Sequence, residues 1–369
     1  MLRPVTTQAH AAATAAIPAS MAGAGRILGN GAIFLAALIL SCAVISRSLP
    51  FPEVQTVHDK LEHLSRHGNE YDVIFLGSSH VYFQIMPAIF DRTAAEEGLA
   101  VRSFNAGISA MMPPEDGYLM DQILRLPHDR LRWAVIECMP VSPRSQRSLS
   151  GTTRESYWHD WARTRILARS FAHDWAAVEG PPTGRKQSYS PLLSQAGESL
   201  RLFAENTANL GRGGVLLSHW MGSAKMKKAS RPNRRVVGDG WISPPGEQQM
   251  SGKALSDYEL DFSNLPQSTD RFMPGDPASE EALHEMLEKL VKNGVTPLLM
   301  IPPTTQTKRY RSLQPVTTFD FSDAREYPEF FTLEHRLDGG HLNAAGAEVF
   351  TRTLAKLFVG ITRERTGEF

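Results

Sequence analysis

A chain of 369 residues in which 39 Lys and Arg offset 39 Asp and Glu carries no net charge. That balance argues against a partner held by the field of the whole protein, such as duplex nucleic acid, while leaving room for a local basic patch. The length accommodates one large or two ordinary domains with a substantial core, and two cysteines, Cys42 in an apolar stretch and Cys138, give no basis for a stabilising disulfide.

Residues 1–26 are rich in Ala, Thr and Ser without apolar periodicity and read as a flexible tail. From Ile27 to Ile45 about 19 residues run without a charge, long enough for one transmembrane helix. Arg3 and Arg26 precede the span and Arg47 follows it, only a slight bias; Glu53 and the lack of a second apolar span leave the amino end inside and the body outside the cytoplasm. A cleaved signal peptide is the main alternative, although no small-x-small site follows the apolar core cleanly. Ile39-Leu40-Ser41-Cys42 as a degenerate lipoprotein box is a weaker one. Residues 46–70 read as a Pro-containing linker with a charged helical stretch that lifts the body off the membrane.

The body opens on Tyr71-Asp72-Val73-Ile74-Phe75-Leu76-Gly77-Ser78-Ser79-His80. A run of branched and aromatic residues ended by a small-residue turn predicts a buried strand feeding a helix. In an open α/β sheet ligands collect at that carboxyl end, and a serine there lies near the positive end of the next helix. Ser79 is therefore a candidate nucleophile, although taken alone Gly77-Ser78-Ser79 reads first as a turn and N-cap.

Beyond it, Val81–Glu97 is helix-compatible in its second half, Val101–Gly107 is a short strand with a glycine turn, Glu115–Leu126 has helical spacing, and Leu131–Glu137 predicts a third strand. Between residues 141 and 274 the alternation disappears, and this stretch reads as an insertion of helices and loops. It contains the basic run Lys225, Lys227, Lys228, Arg231, Arg234 and Arg235, either a solvated loop or a contact for anionic lipid or acidic polysaccharide. Alternation resumes with a helix at Ser279–Lys292, strands at Thr296–Ile301 and Pro315–Phe321, and a closing helix at Asn343–Phe358. The pattern predicts an α/β fold with a parallel sheet covered by helices on both faces.

Just before the closing helix stand Asp338 and His341, about 260 residues after Ser79. Three apart on one loop, they suit an imidazole and its orienting carboxylate, the base that a weak serine nucleophile needs. This pair of motifs, in this order, resembles the SGNH (GDSL-like) hydrolase superfamily, and more closely its membrane-anchored branch that includes the alginate O-acetylation proteins and the D-alanine transfer protein of teichoic acid synthesis. The resemblance implies a doubly wound, flavodoxin-like domain over residues 71–360 with an insertion at 141–274. It implies Ser79 as nucleophile, His341 as base, Asp338 as orienter, and the N–H groups of Ser79 and Gly107 as oxyanion donors. Ser78 replaces the usual Asp of Gly-Asp-Ser, and Glu137-Cys138-Met139-Pro140 stands where the superfamily has its asparagine donor.

His80, Asn105 and Glu137 are candidate pocket residues with equally plain structural readings. The sequence holds no H-E-x-x-H, Cys pair, calcium loop, P-loop or dinucleotide fingerprint, so no cofactor or metal is expected. The expected function is acyl transfer, with acetyl the expected group, to a polysaccharide through acyl-Ser79. The setting is a single-pass protein of a bacterial inner membrane with a periplasmic body and a membrane-bound O-acyltransferase as partner. An esterase or deacetylase, or a non-catalytic binding partner of such an acyltransferase, are the alternatives.

Overall fold

The computed structural model describes residues 19–48, 54–141, 153–179, 189–208, 238–244, 250–263, 265, 272–273, 277–305, 309–310, 312 and 314–366. The basic run of residues 225–235 lies outside them. Helix α1 spans Ala19–Ser48. Its segment Gly25–Ile45 is long and apolar enough to cross a membrane and is uncovered by the rest of the chain. The helix starts well before Ile27, inside the stretch read as tail, because Ala and Met at residues 19–24 favour helix as much as loop.

Helix α2, Gln55–His67, is no free stalk. Val57, Lys60 and Leu64 fall three to four apart on one face and are buried, so the body begins before residue 71. The central sheet follows. Strands β1 (Val73–Leu76), β2 (Ser103–Asn105), β3 (Trp133–Glu137), β5 (Thr296–Ile301) and β7 (Thr318–Asp320) are all parallel, in the order β2-β1-β3-β5-β7. A two-residue pair, β4 (Phe272–Met273) with β6 (Arg309–Tyr310), lies outside it.

Both faces of the sheet are covered, as its continuous apolar strands require. Ile74 and Leu76 join Ala134, Ile136, Leu299 and Ile301 under α2, α5 (Glu115–Ile123) and α10 (Pro277–Lys292). Val73 and Phe75 point the other way, with Val135, Leu298 and Met300, against α3 (Ser79–Gln84), α4 (Pro87–Glu96) and α11 (Ala344–Thr366). Phe75, Phe90, Phe350 and Phe358 are fully buried there, each contributing about 1.5–3 kcal/mol relative to exposure.

Between α5 and α10 the chain forms α6 (Thr153–Ser156), α7 (Trp161–Glu179), α8 (Tyr189–Ala208) and α9 (Gly252–Ser263). Ile166, Leu167 and Phe171 of α7 form a small cluster of their own with Val141. The insertion is not wholly peripheral, however. Asp239 accepts a backbone hydrogen bond from Asn105 of β2, and the Trp241 indole donates to Phe83 O, so this segment covers the sheet edge beside the amino-terminal serine motif.

Because β2 and β3 flank β1 on opposite sides, the chain reverses direction across the sheet between β1 and β3, the kind of place at whose carboxyl ends open α/β sheets bind ligands. Pairing of Leu76 with Ile136 sets Gly77 beside Glu137.

Candidate active site

Gly77 ends β1 with no room for a side chain: an added Cβ would stand 2.5 Å from Glu137 Oε2 and 2.4 Å from Val81 Cγ2. The helix that follows is capped by Ser78, whose Oγ accepts from His80 N at 3.3 Å. The N-cap role open to this motif thus falls to Ser78, and Ser79 is left as the first helical residue, partly exposed. A first-turn N–H has no intrahelical acceptor, and none among the described residues is bonded to Ser79 N.

The Asp-x-x-His loop is built with equal economy. Asp338 Oδ1 accepts from Gly340 N at 2.7 Å and His341 N at 2.8 Å, and Asn343 Oδ1 then caps α11 by accepting from Gly346 N at 2.9 Å. Arg336, wholly buried, donates to the carbonyls of Pro303, Phe330, Asp338 and Gly339, and the Thr305 N–H and hydroxyl also bond Gly339 O. The loop is therefore pinned to the carboxyl end of β5. Burial lowers the Arg336 guanidinium to about 10.

These two segments meet. His341 Nε2 lies 2.7 Å from Ser79 Oγ, and His341 Nδ1 lies 2.9 and 3.0 Å from the two Asp338 oxygens. Partial burial works against the Asp338 charge. The hydrogen bond and charge of His341 and the two loop N–H groups outweigh it and hold the carboxyl at about 2. An ionised carboxylate only accepts, so Nδ1 bears a hydrogen, and in the neutral ring Nε2 then offers its lone pair to the Ser79 hydroxyl. This is the arrangement in which a serine oxygen can be deprotonated as it attacks a carbonyl.

The other candidates fare differently. Glu137, 3 % exposed, accepts from Ser78 N (2.7 Å), Ser78 Oγ (3.1 Å) and His80 Nδ1 (2.7 Å), so it ties His80 to the serine turn. Burial raises its carboxyl, but the His80 charge and these bonds leave it below the ordinary range. Asn105 is not a pocket residue. It is fully buried, with Nδ2 donating to Val81 O and Ile85 O and Oδ1 accepting from Gly107 N. That last bond, at 2.9 Å, also corrects the expectation for Gly107: its N–H is taken, and its missing side chain serves close packing, since a Cβ would lie 2.6 Å from Tyr82 N. Cys138 is buried and its thiol is pushed up to about 12 by burial, which makes it inert.

Four further residues shape the site. Lys60, Arg336 and Thr351 hold backbone around it, Lys60 Nζ donating to Asn105 O (2.6 Å) and Gly107 O (2.7 Å). Ala110, at φ 63, is the non-glycine residue in the left-handed region among those described, in the loop after β2 that Arg154 braces through Ser109 O. Among the described residues no cluster of His, Cys, Asp and Glu suited to a metal occurs. No family model and no curated protein matches the chain.

Proposed function

We propose that the protein is a serine-dependent acyl-transfer enzyme in which Ser79 forms an acyl-enzyme intermediate. The observation that carries this reading is the continuous chain Asp338–His341–Ser79, with 2.7 Å between imidazole and hydroxyl. Ser79 Oγ adds to the acyl carbonyl while His341 Nε2 takes its proton, and Asp338 stabilises the imidazolium so formed. The Ser79 N–H, aimed from the first turn of α3, supplies one donor to the developing oxyanion. His341 then returns the proton to the departing alcohol, and an acceptor hydroxyl deprotonated by the same imidazole releases the acyl group.

Within that class, the particular enzyme we infer is an SGNH-type, flavodoxin-like acyltransferase that moves acetyl groups onto a surface or exported polysaccharide. The apolar helix Gly25–Ile45 supports an anchor that keeps such a site at a membrane, on its extracytoplasmic side, where a membrane-bound O-acyltransferase supplies the acyl group. Partial exposure of Ser79 and His341 suits an acceptor too large to be enclosed.

The test is labelling by a fluorophosphonate followed by peptide mass spectrometry. The adduct is expected on Ser79, not on Ser78, whose hydroxyl faces Glu137, and to disappear in His341→Ala. Labelling at Ser78, or undiminished labelling without His341, would remove the proposal. With labelling established, acetyl release to water but never to a sugar hydroxyl would make the protein an esterase.

A further inference from the structure

His80 is satisfied on one side only. Its Nδ1 donates to Glu137, whereas its Nε2, although buried, meets no hydrogen-bond partner among the described residues. Glu137 is as buried as the apolar core, and no Lys or Arg among the described residues pairs with it. A buried carboxylate in that position is best balanced by an imidazolium, and the protonated ring then carries a second hydrogen on Nε2. A buried donor left without an acceptor is costly and calls for a reason.

Its position supplies one. His80 follows Ser79 directly, and its ring stacks on that of His341 with centroids 5.3 Å apart and planes at 27°. The His341 ring in turn holds Ser79 Oγ. The unused Nε2 thus belongs to the residue next to the nucleophile, on a ring stacked against the imidazole that holds Ser79 Oγ. The Gly107 N–H, spent on Asn105, leaves the site short of a donor.

We infer that His80, clamped by Glu137, is a catalytic residue of the acyl transfer proposed above, its Nε2–H donating to the acyl carbonyl oxygen as that oxygen becomes an oxyanion. The inference rests on the Ser79 reading. As the Ser79 Oγ–carbon bond forms, the carbonyl π pair moves onto oxygen and the Ser79 proton passes to His341 Nε2. His80 keeps both its hydrogens throughout. Collapse of the adduct breaks the bond to the departing alcohol, which takes its proton from His341. Each imidazole has its own carboxylate, Asp338 for His341 and Glu137 for His80, so two adjacent positive rings are tolerated at that moment.

The experiment measures, on the full chain in detergent micelles, the second-order rate at which a fluorophosphonate labels Ser79, since its phosphonyl oxygen mimics the oxyanion. His80→Leu should slow labelling roughly 10²-fold or more, the loss typical of one oxyanion donor. His80→Gln, whose amide nitrogen can donate from near the Nε2 position, should recover most of the rate. A His80→Leu rate equal to wild type overturns the inference and leaves the Ser79 reading standing. A His80→Gln rate as low as that of His80→Leu also overturns it. No labelling of wild-type Ser79 removes both. Nitrogen-15 histidine NMR of the wild-type adduct gives an answer independent of any variant. The His80 Hε2 proton should be present and shifted downfield on phosphonylation, and an Nε2 without hydrogen in the adduct contradicts the assignment.

Discussion

Two carboxyl groups near the site are moved in opposite directions by their surroundings. Asp338, half exposed and held by three hydrogen-bond donors, stays ionised down to about 2. Asp116 at the start of α5 is buried, and burial, with the charges of Glu115 and Glu137, outweighs the Gly117 N–H and the Arg163 charge and pushes it up to about 7. For Asp116 the folded chain holds its proton over a range in which the unfolded chain has lost it. Stability attributable to it is therefore full below about 4 and falls as pH rises towards about 7. Asp116→Asn should flatten that slope, which urea denaturation at pH 5 and pH 8 will measure; an unchanged pH dependence would show that the carboxyl is not protonated in the fold. For the triad, Ser79→Ala and His341→Ala should each remove most of the activity on an acetyl ester. The double variant should be scarcely worse than either, because the pair acts as one unit. Asp338→Asn should cost less than either single change, and steady-state kinetics on the four proteins decides the order.

At the scale of elements, the site depends on how α3 and α11 are joined. Thr351 of α11, wholly buried, donates to Gln84 O and accepts from Met86 N, both at 3.1 Å, where α3 hands over to α4. Thr351→Val keeps the shape and leaves both backbone groups unpaired, for a loss of about 1–3 kcal/mol. It should also lower kcat beyond what the stability loss explains, by loosening the Ser79–His341 contact, and chemical denaturation together with kinetics on Thr351→Val and Thr351→Ser will separate the two effects. Unlike Ser79 and His341, this joint has no local signature. Gly-Ser-Ser is a turn and Asp-x-x-His a loop, both legible over a few residues. Glu137 meets Ser78 only through the pairing of Leu76 with Ile136. The roles of Gly107 and Asn105 are hidden for the same reason: a glycine turn at a strand end looks alike whether its N–H faces a ligand or a neighbouring amide. The stripe Val57, Lys60, Leu64 was masked by a lysine that is buried because backbone carbonyls surround it.

At the scale of the molecule, the parallel sheet and its two helical layers follow from the alternation of apolar strands and amphipathic helices, which needs no long-range information. Where the body begins, and which part of the insertion covers β2, depend on tertiary contacts that periodicity does not encode. The exposed apolar face of α1 predicts that the full chain partitions with membranes and resists extraction by high salt or alkaline carbonate while yielding to detergent. Release by carbonate would show that α1 does not span the bilayer. The central claim, acyl transfer through Ser79, is tested most directly by acid-quenching the protein during turnover of an activated acetyl ester and sequencing its peptides by mass spectrometry. The account predicts an acetyl group on the peptide that contains Ser79, located on that serine and absent from His341→Ala; steady turnover with no acyl group on Ser79, or the same yield without His341, would contradict it.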